Sequence, residues 1–233
     1  MSSGGTAAFF DVDGTLVDSD IVRYAVGIRT AGMPAPLRGL WMAAFLPRIP
    51  YYLALDRRSR AAFQRALYRI YAGLSTDDLA ERAEALFHHH IEPRIHAAGR
   101  ARVNDHRRKG HRVVLVSGSV EAIVRPLAAS LEVGDVLAPR LEAAEGRLTG
   151  ALEGVPLSGE QKAAAVVDFA ETHGIDLADS FCYADSLDDV PMLESVGRPA
   201  AVNPDRRLLE AALERGWDVY RWKGLEPLVA AGV

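Results

Sequence analysis

Three short stretches of this 233-residue chain combine residue types suited to handling charge. The first is Asp11-Val12-Asp13-Gly14-Thr15, two aspartates at i and i+2 where an apolar run ends. Like charges a few Å apart cost free energy unless a proton or a cation intervenes. The second is Ser117-Gly118-Ser119: a hydroxyl, a glycine that permits close approach and backbone N–H groups at a helix start, together suited to an anion. The third is Asp185 with Asp188 and Asp189 in YADSLDDVPML. Oxygen-only donors of this kind suit Mg²⁺, which takes a few carboxylates plus water and phosphate. Asp185 ends a strand and is the better ligand, whereas Asp188 can equally cap the helix entering VPMLESV. Lys162 is a fourth feature. Ser158 and Gln161 have capping-box spacing, which puts Lys162 in a first helical turn, where a cation opposes the macrodipole. Beside carboxylates and a phosphate, it would neutralise both. Any one stretch alone also reads as a turn former, a cap or a solvated lysine. A nucleophile, a cation site, an anion cradle and a lysine together describe phosphoryl transfer.

The elements that must position these residues follow from pattern. Ala7 to Asp11 is an apolar run ending in an acid and a glycine turn, hence a buried strand entering a loop. Asp18 or Ser19 can cap the helix that begins at Ile21. From there to about His96 the signals are helical, with Ser59 and Ser75 as further caps, so residues 19–96 read as an all-helical insertion between 1–18 and 97–233. Strand–helix alternation then resumes. A helix from about Ala98 ends at Gly110 after the basic turn Arg107-Arg108-Lys109. HRVVLVS reads as a strand, and SVEAIVRPLAASL as a helix bent or broken near Pro126. Asp135 to Leu152 reads as a hairpin turning at Glu145-Gly146, and Glu160 to His173 as a helix stopped by Gly174. SFCYAD, PAAVN and WDVYRW complete the strands. Repeated β-then-α units predict an α/β fold with a doubly wound parallel sheet. Such sheets place ligands beyond the carboxyl ends of their strands, so the loops after Asp11, Ser117 and Asp185 converge if those strands are neighbours.

Composition narrows the function classes. Hydrophobic residues make up 49% and charged residues 25%, ordinary for a folded chain. A net charge of −4 with dispersed basic residues argues against a nucleic-acid partner. A single cysteine, Cys182, within an apolar strand reads as a small buried hydrophobe and suits a reducing cytoplasm, and the N-terminal stretch has no secretory pattern. The stretch Pro36 to Leu55 is too short between arginines to span a bilayer, and Pro47 and Pro50 interrupt it. It is expected to be a buried or half-buried helical pair, or else an apolar lid or interfacial patch around Trp41, Phe45, Tyr51 and Tyr52. His88, His89 and His90 point in different directions on a helix and read as a solvated helix end.

In order and spacing, DVDGT at Asp11, SGS at Ser117, Lys162 and YADSLDDVPML at Asp185 resemble the four motifs of the haloacid-dehalogenase superfamily. The helical insertion resembles the first cap class of its subfamily IB, the group that includes phosphoserine phosphatases. The resemblance implies a Rossmann-like core and a Mg²⁺-dependent phosphatase acting on a small phosphomonoester. Asp11 would be the nucleophile and Asp13 the general acid/base. Asp11, the backbone carbonyl of Asp13 and Asp185 would hold Mg²⁺, with Asp189 and Asp188 supporting the site. Ser117, Gly118 and Lys162 would bind the phosphoryl oxygens. In phosphoserine phosphatases a glutamate and an arginine recognise the serine; here the matching positions are Asp20 and Tyr68, with Arg65 and Arg69 nearby on other helical faces. A bidentate arginine is hard to replace for a carboxylate. An alcohol, polyol or amino-alcohol phosphate is therefore expected ahead of phosphoserine. A lipid-like phosphate, a phosphotransferase of the same fold and a non-catalytic phospholigand-binding protein are the other readings, the last opposed by the presence of both Asp11 and Asp13.

Overall fold

The computed structural model describes residues 4–223 and the backbone of 227–229. At its centre is β1 (Ala7–Asp11), buried at all five positions. A continuous apolar strand of this kind belongs in the middle of a parallel sheet covered on both faces. It pairs in parallel with β2 (Arg112–Val116) on one side and β6 (Phe181–Ala184) on the other. Beyond β2 lies β3 (Asp135–Leu137); beyond β6 lie β7 (Arg198–Val202), β8 (Asp218–Tyr220) and β9 (Pro227–Val229). Among the described strands of this sheet, only β9 runs antiparallel. Alternation sends successive side chains of β1 to opposite faces. Phe10 enters one apolar cluster with Leu115 and Tyr183, and Phe9 enters the other with Val114, Cys182 and Met192.

Between β1 and α6 (Ala97–Arg108) the described elements are all helical: α1 (Ile21–Thr30), α2 (Ala35–Phe45), α3 (Ile49–Arg58), α4 (Arg60–Tyr68) and α5 (Thr76–Leu86), with short tighter or wider turns between them. Ser59 and Ser75 cap α4 and α5, as their spacing predicts. The cap of α1 is Asp20 rather than Asp18 or Ser19; its carboxylate accepts from the Arg23 N–H at 2.9 Å. Asp18 is instead drawn to Lys223, 2.6 Å away.

Three further expectations are corrected. Asp135–Leu137 is not a hairpin arm: it extends the main sheet, and the hairpin proper is β4 (Arg140–Ala144) with β5 (Arg147–Glu153), turning at Glu145-Gly146. A three-residue apolar segment carries no periodicity that separates a parallel edge strand from a hairpin arm. Pro126 does not break its helix, because α7 (Glu121–Ser130) runs through it. The buried stripe Ile123, Val124, Leu127 and Ala128 outweighs the one backbone hydrogen bond that the proline removes. The helix α8 (Glu160–His173) has its expected bounds, but its cap is Gly159 at φ +52° and not Ser158, whose side chain makes no capping hydrogen bond. Lys162 still falls in the first turn. The Pro36 to Leu55 stretch is helical on both sides of a bend at Leu46–Arg48, but only Phe45 in α2 and α3 is fully buried.

Candidate active site

Because β1 lies between β2 and β6, the loops after Asp11, Val116 and Ala184 leave the sheet side by side. The three sequence stretches therefore meet. Asp11 and Asp189 are each 3% exposed and Lys162 5% exposed, so the lysine is an enclosed charge among carboxylates. Lys162 donates to Asp11 Oδ1 at 2.6 Å and lies 2.7 Å from Asp189 Oδ1. Asp11, Asp185 and Asp189 each offer an oxygen, all within 4.8 Å of one another. Three carboxylates thus face one lysine, and Asp11 Oδ2 is buried without a hydrogen-bond partner. This donor set is all oxygen, has excess negative charge and has an orphaned oxygen. It fits a divalent hard cation.

The electrostatics carry the same signature. Burial pushes Asp11 up to about 7, against the opposing pull of Lys162. Asp185 is pushed up to about 8 by burial and by the charges of Asp11 and Asp189. Burial alone would lower Lys162, but Asp11 and Asp189 outweigh it and hold the ammonium firmly protonated. Asp13 is raised by burial while hydroxyl donors oppose the shift. Ser119 donates to Asp13 Oδ2 at 2.7 Å and Ser117 donates to the same oxygen at 3.2 Å, while Asp13 Oδ1 is buried without a partner. Asp13 is thus held by the serine turn, outside the group of Asp11, Asp185 and Asp189 oxygens.

Backbone conformation makes this convergence possible. Gly14 sits at φ +89°, and a Cβ there would lie 2.0 Å from Asp185 Oδ2. Only glycine lets the turn after β1 pass so close to the end of β6. Asn203, after β7, donates to the Gly14 carbonyl at 3.1 Å and accepts from the Trp222 N–H, which fastens that turn to the neighbouring strand. Asp188 accepts from the Gly159 N–H at 3.0 Å and so ties the acidic loop to the start of α8. That contact, rather than capping of the helix α9 (Val190–Glu194), occupies its side chain.

The cleft above these groups has a volume of about 810 Å³, and its lining includes Asp20, Arg57, Arg58, Arg60, Gln64 and Arg207. Asp20 reaches it while capping α1. Tyr68 is fully buried, and its hydroxyl donates to the Gly118 carbonyl. Gln64, one turn earlier on the same face of α4, donates to the Leu157 carbonyl at 3.3 Å and to the Gly118 carbonyl at 3.5 Å. The helical insertion therefore grips the serine turn directly. Arg65 is exposed and does not line the cleft; Arg57, Arg58 and Arg60 do.

A family model described as haloacid dehalogenase-like hydrolase matches residues 8–194. The chain belongs to that family. This haloacid dehalogenase-like hydrolase is 33% identical, over 97% of its length, to "Phosphoserine phosphatase SerB1" of Mycobacterium tuberculosis and spans 74% of that protein. It is 31% identical, over 92% of its length, to "Probable phosphatase Rv3661" of the same organism, again spanning 74% of it. Among solved structures, it shares a TM-score of 0.79 and 29% identity with a protein of unknown function from Bordetella pertussis Tohama I, covering 93% of this chain and 98% of that one. A phospho-aspartyl intermediate analogue of phosphoserine phosphatase shares its fold, with a TM-score of 0.66 and 19% identity over 93% of both chains. The hydrolase is accordingly an enzyme of the phosphatase type.

Sequence pattern reaches Asp11, Asp13, Ser117, Asp185, Asp189 and Lys162. It does not reach Gln64, Asn203 or the arginines of the rim, whose roles depend on which loops meet. Ser119 was visible in the SGS triplet, and its hydroxyl makes the shorter contact with Asp13.

Proposed function

We propose that the chain is a Mg²⁺-dependent phosphomonoester hydrolase acting on a small phosphorylated metabolite through an aspartyl-phosphate on Asp11. The observation that carries this reading is the cluster of Asp11, Asp185 and Asp189, with ligand oxygens within 4.8 Å of one another, beside a buried lysine paired with Asp11 and Asp189. Asp11, Asp185 and the backbone carbonyl of Asp13 would hold the ion, with Asp189 supporting it. The ion would withdraw charge from the phosphoryl group and orient it.

The chain's own residues supply the remaining steps. An Asp11 carboxylate oxygen attacks phosphorus while the bond to the leaving alkoxide breaks. Asp13, whose carboxyl burial raises above its ordinary value, gives that alkoxide its proton. The resulting Asp13 carboxylate takes a proton from water, whose oxygen attacks phosphorus and releases Asp11 as a carboxylate. Lys162, the Ser117 hydroxyl and the backbone N–H groups near Gly118 bind the equatorial oxygens as charge redistributes. Residues 19–96 act as a helical cap over a core of 1–18 and 97–233, with Gln64 and Tyr68 among the contacts that bring it over the serine turn.

For the substrate, an alcohol, polyol or amino-alcohol phosphate fits ahead of phosphoserine. Tyr68 spends its hydroxyl on the Gly118 carbonyl, and Arg65 lies away from the cleft, which leaves neither placed to grip a serine carboxylate. The test is hydrolysis of an aryl phosphate with Mg²⁺ and no added acceptor. Turnover that chelation abolishes supports the reading; tight phosphate binding without turnover overturns it.

A further inference from the structure

The helical pair α2–α3 is built with its aliphatic side outward. Its aromatic side faces the protein: Trp41 stacks on Phe45 with ring centroids 5.0 Å apart, Phe45 lies 5.8 Å from Tyr52, and Tyr52 meets Phe63 of α4 at 6.2 Å. Toward water, Leu37, Leu40, Leu46, Tyr51 and Leu53 are each 51–70% exposed. Leu37 and Leu40 are three residues apart, and Leu46, Ile49 and Leu53 are three and four apart, the spacing of a single helical stripe. Of the eight large hydrophobic residues exposed among the described residues, six fall between Leu37 and Leu53. A contiguous apolar patch of this kind marks an interaction surface.

Charge identifies what covers it. Residues 21–60 contain seven arginines and one acid, Asp56, in a chain whose net charge is −4. Asp56 is itself paired with Arg60 at 2.8 Å. Arg38, Arg48, Arg57 and Arg58 are exposed along the borders of the stripe. A second copy of the chain docking face to face would set these arginines against their own equivalents, which disfavours self-association through the patch. Aliphatic side chains bordered by arginines, with no helix long and apolar enough among the described residues to cross a membrane, match a segment that lies in the interface of an anionic bilayer.

We propose that α2 and α3 dock on an anionic lipid surface, with Leu37, Leu40, Leu46, Ile49 and Leu53 entering the headgroup–acyl boundary and the arginines meeting lipid phosphates. Leu53 stands one helical turn before Arg57, and Arg57 and Arg58 line the catalytic cleft, so docking sets the cleft mouth beside the membrane surface. The inference stands apart from the proposed reaction.

The test is cosedimentation of the full chain with vesicles of phosphatidylcholine alone and of phosphatidylcholine mixed with phosphatidylglycerol. Binding is expected to the mixed vesicles only and to weaken as salt is raised. Leu40→Glu/Leu53→Glu should weaken it at least ~10-fold, while Arg38→Gln/Arg48→Gln, which leaves the apolar stripe intact, should weaken it by about the same order. Aryl phosphate turnover should be unchanged in both variants, since none of the four residues touches the cleft. Absence of vesicle binding, or equal binding by wild type and the leucine variant, overturns the proposal. So does a dimer in sedimentation velocity that the leucine variant converts to monomer, since a second copy would then cover the patch. A wild type that binds vesicles but never hydrolyses aryl phosphate would sink the reaction and leave the docking intact.

Discussion

Lys162→Met is the sharpest probe of the buried charge cluster. The ammonium lies 2.6 Å from Asp11 and 2.7 Å from Asp189, and both partners are almost wholly enclosed. Removing one partner from a buried ion pair costs about 3–5 kcal/mol, because the remaining charge is left uncompensated. Part of that cost can be relieved by protonation. With the lysine in place, Asp11 and Asp185 already stand at about 7 and about 8. Without it both rise, so near neutrality the folded variant binds more protons than the folded wild type. The folded state then gains relative stability as pH falls, by about 1.4 kcal/mol per unit for each additional proton. Between about pH 8 and pH 6, one additional proton recovers at most about 2.7 kcal/mol. Urea unfolding in chelator, followed by tryptophan fluorescence, measures the gap directly. It should be widest at the alkaline end and should narrow on acidification. A gap under about 1 kcal/mol at pH 8, or one that widens toward pH 6, would refute the reasoning about how these charges are compensated.

Three further outcomes follow from named contacts. Asp13→Asn should fold normally yet lose at least about 100-fold in turnover, since positioned proton transfer contributes about 10²–10⁴-fold; near-normal steady-state kinetics would remove the acid/base assignment. Gly14→Ala should cost about 1–3 kcal/mol for a strained left-handed backbone and also weaken Mg²⁺ binding by calorimetry, because its Cβ would displace the Asp185 carboxylate. Unchanged affinity would mean that Asp185 does not need its observed position. His106 is buried, shares hydrogen bonds with His111 and Tyr183, and is pushed down to about 4 mainly by burial. Its neutral form therefore stabilises the fold above the unfolded value near 6.5, and that contribution is lost as pH falls toward 4. His106→Gln should remove about 2 kcal/mol of the stability change between about pH 7.5 and pH 5, and an unaltered pH slope would contradict the assignment.

The acidic half of the candidate site is legible because its residues follow strands, and strand ends in a parallel sheet are where ligands gather. The continuous burial of Ala7–Asp11 and the glycine turns behind it are local signals, so Asp11, Asp13 and Asp185 could be named before their convergence was known. Lys162 was legible for a different reason: a cation in a first helical turn is unfavourable unless something anionic meets it. Contacts made by the helical insertion were not legible. Gln64 and Tyr68 look like ordinary members of an amphipathic helix, and their bonds to Gly118 and Leu157 exist only because α4 packs over the serine turn. Asn203 likewise resembles any polar residue after a strand until β7 places it beside Gly14. The misassigned strand at Asp135–Leu137 and the intact helix through Pro126 have a common cause. At Pro126 packing overrides a local preference of about one hydrogen bond, and at Asp135–Leu137 packing decides where no local preference exists. The α2–α3 pair shows the reverse limit: pattern predicts a buried or half-buried helical pair, or an apolar patch, but does not say which side turns to water.

The most direct test of the central claim is acid quenching of the protein after incubation with Mg²⁺ and acetyl phosphate, followed by mass spectrometry of its peptides. A phosphoryl group should be found on the peptide containing Asp11, should be absent when the divalent ion is chelated, and should disappear in Asp11→Asn. Label on a different residue, or label at Asp11 that persists without any divalent ion, would contradict the account.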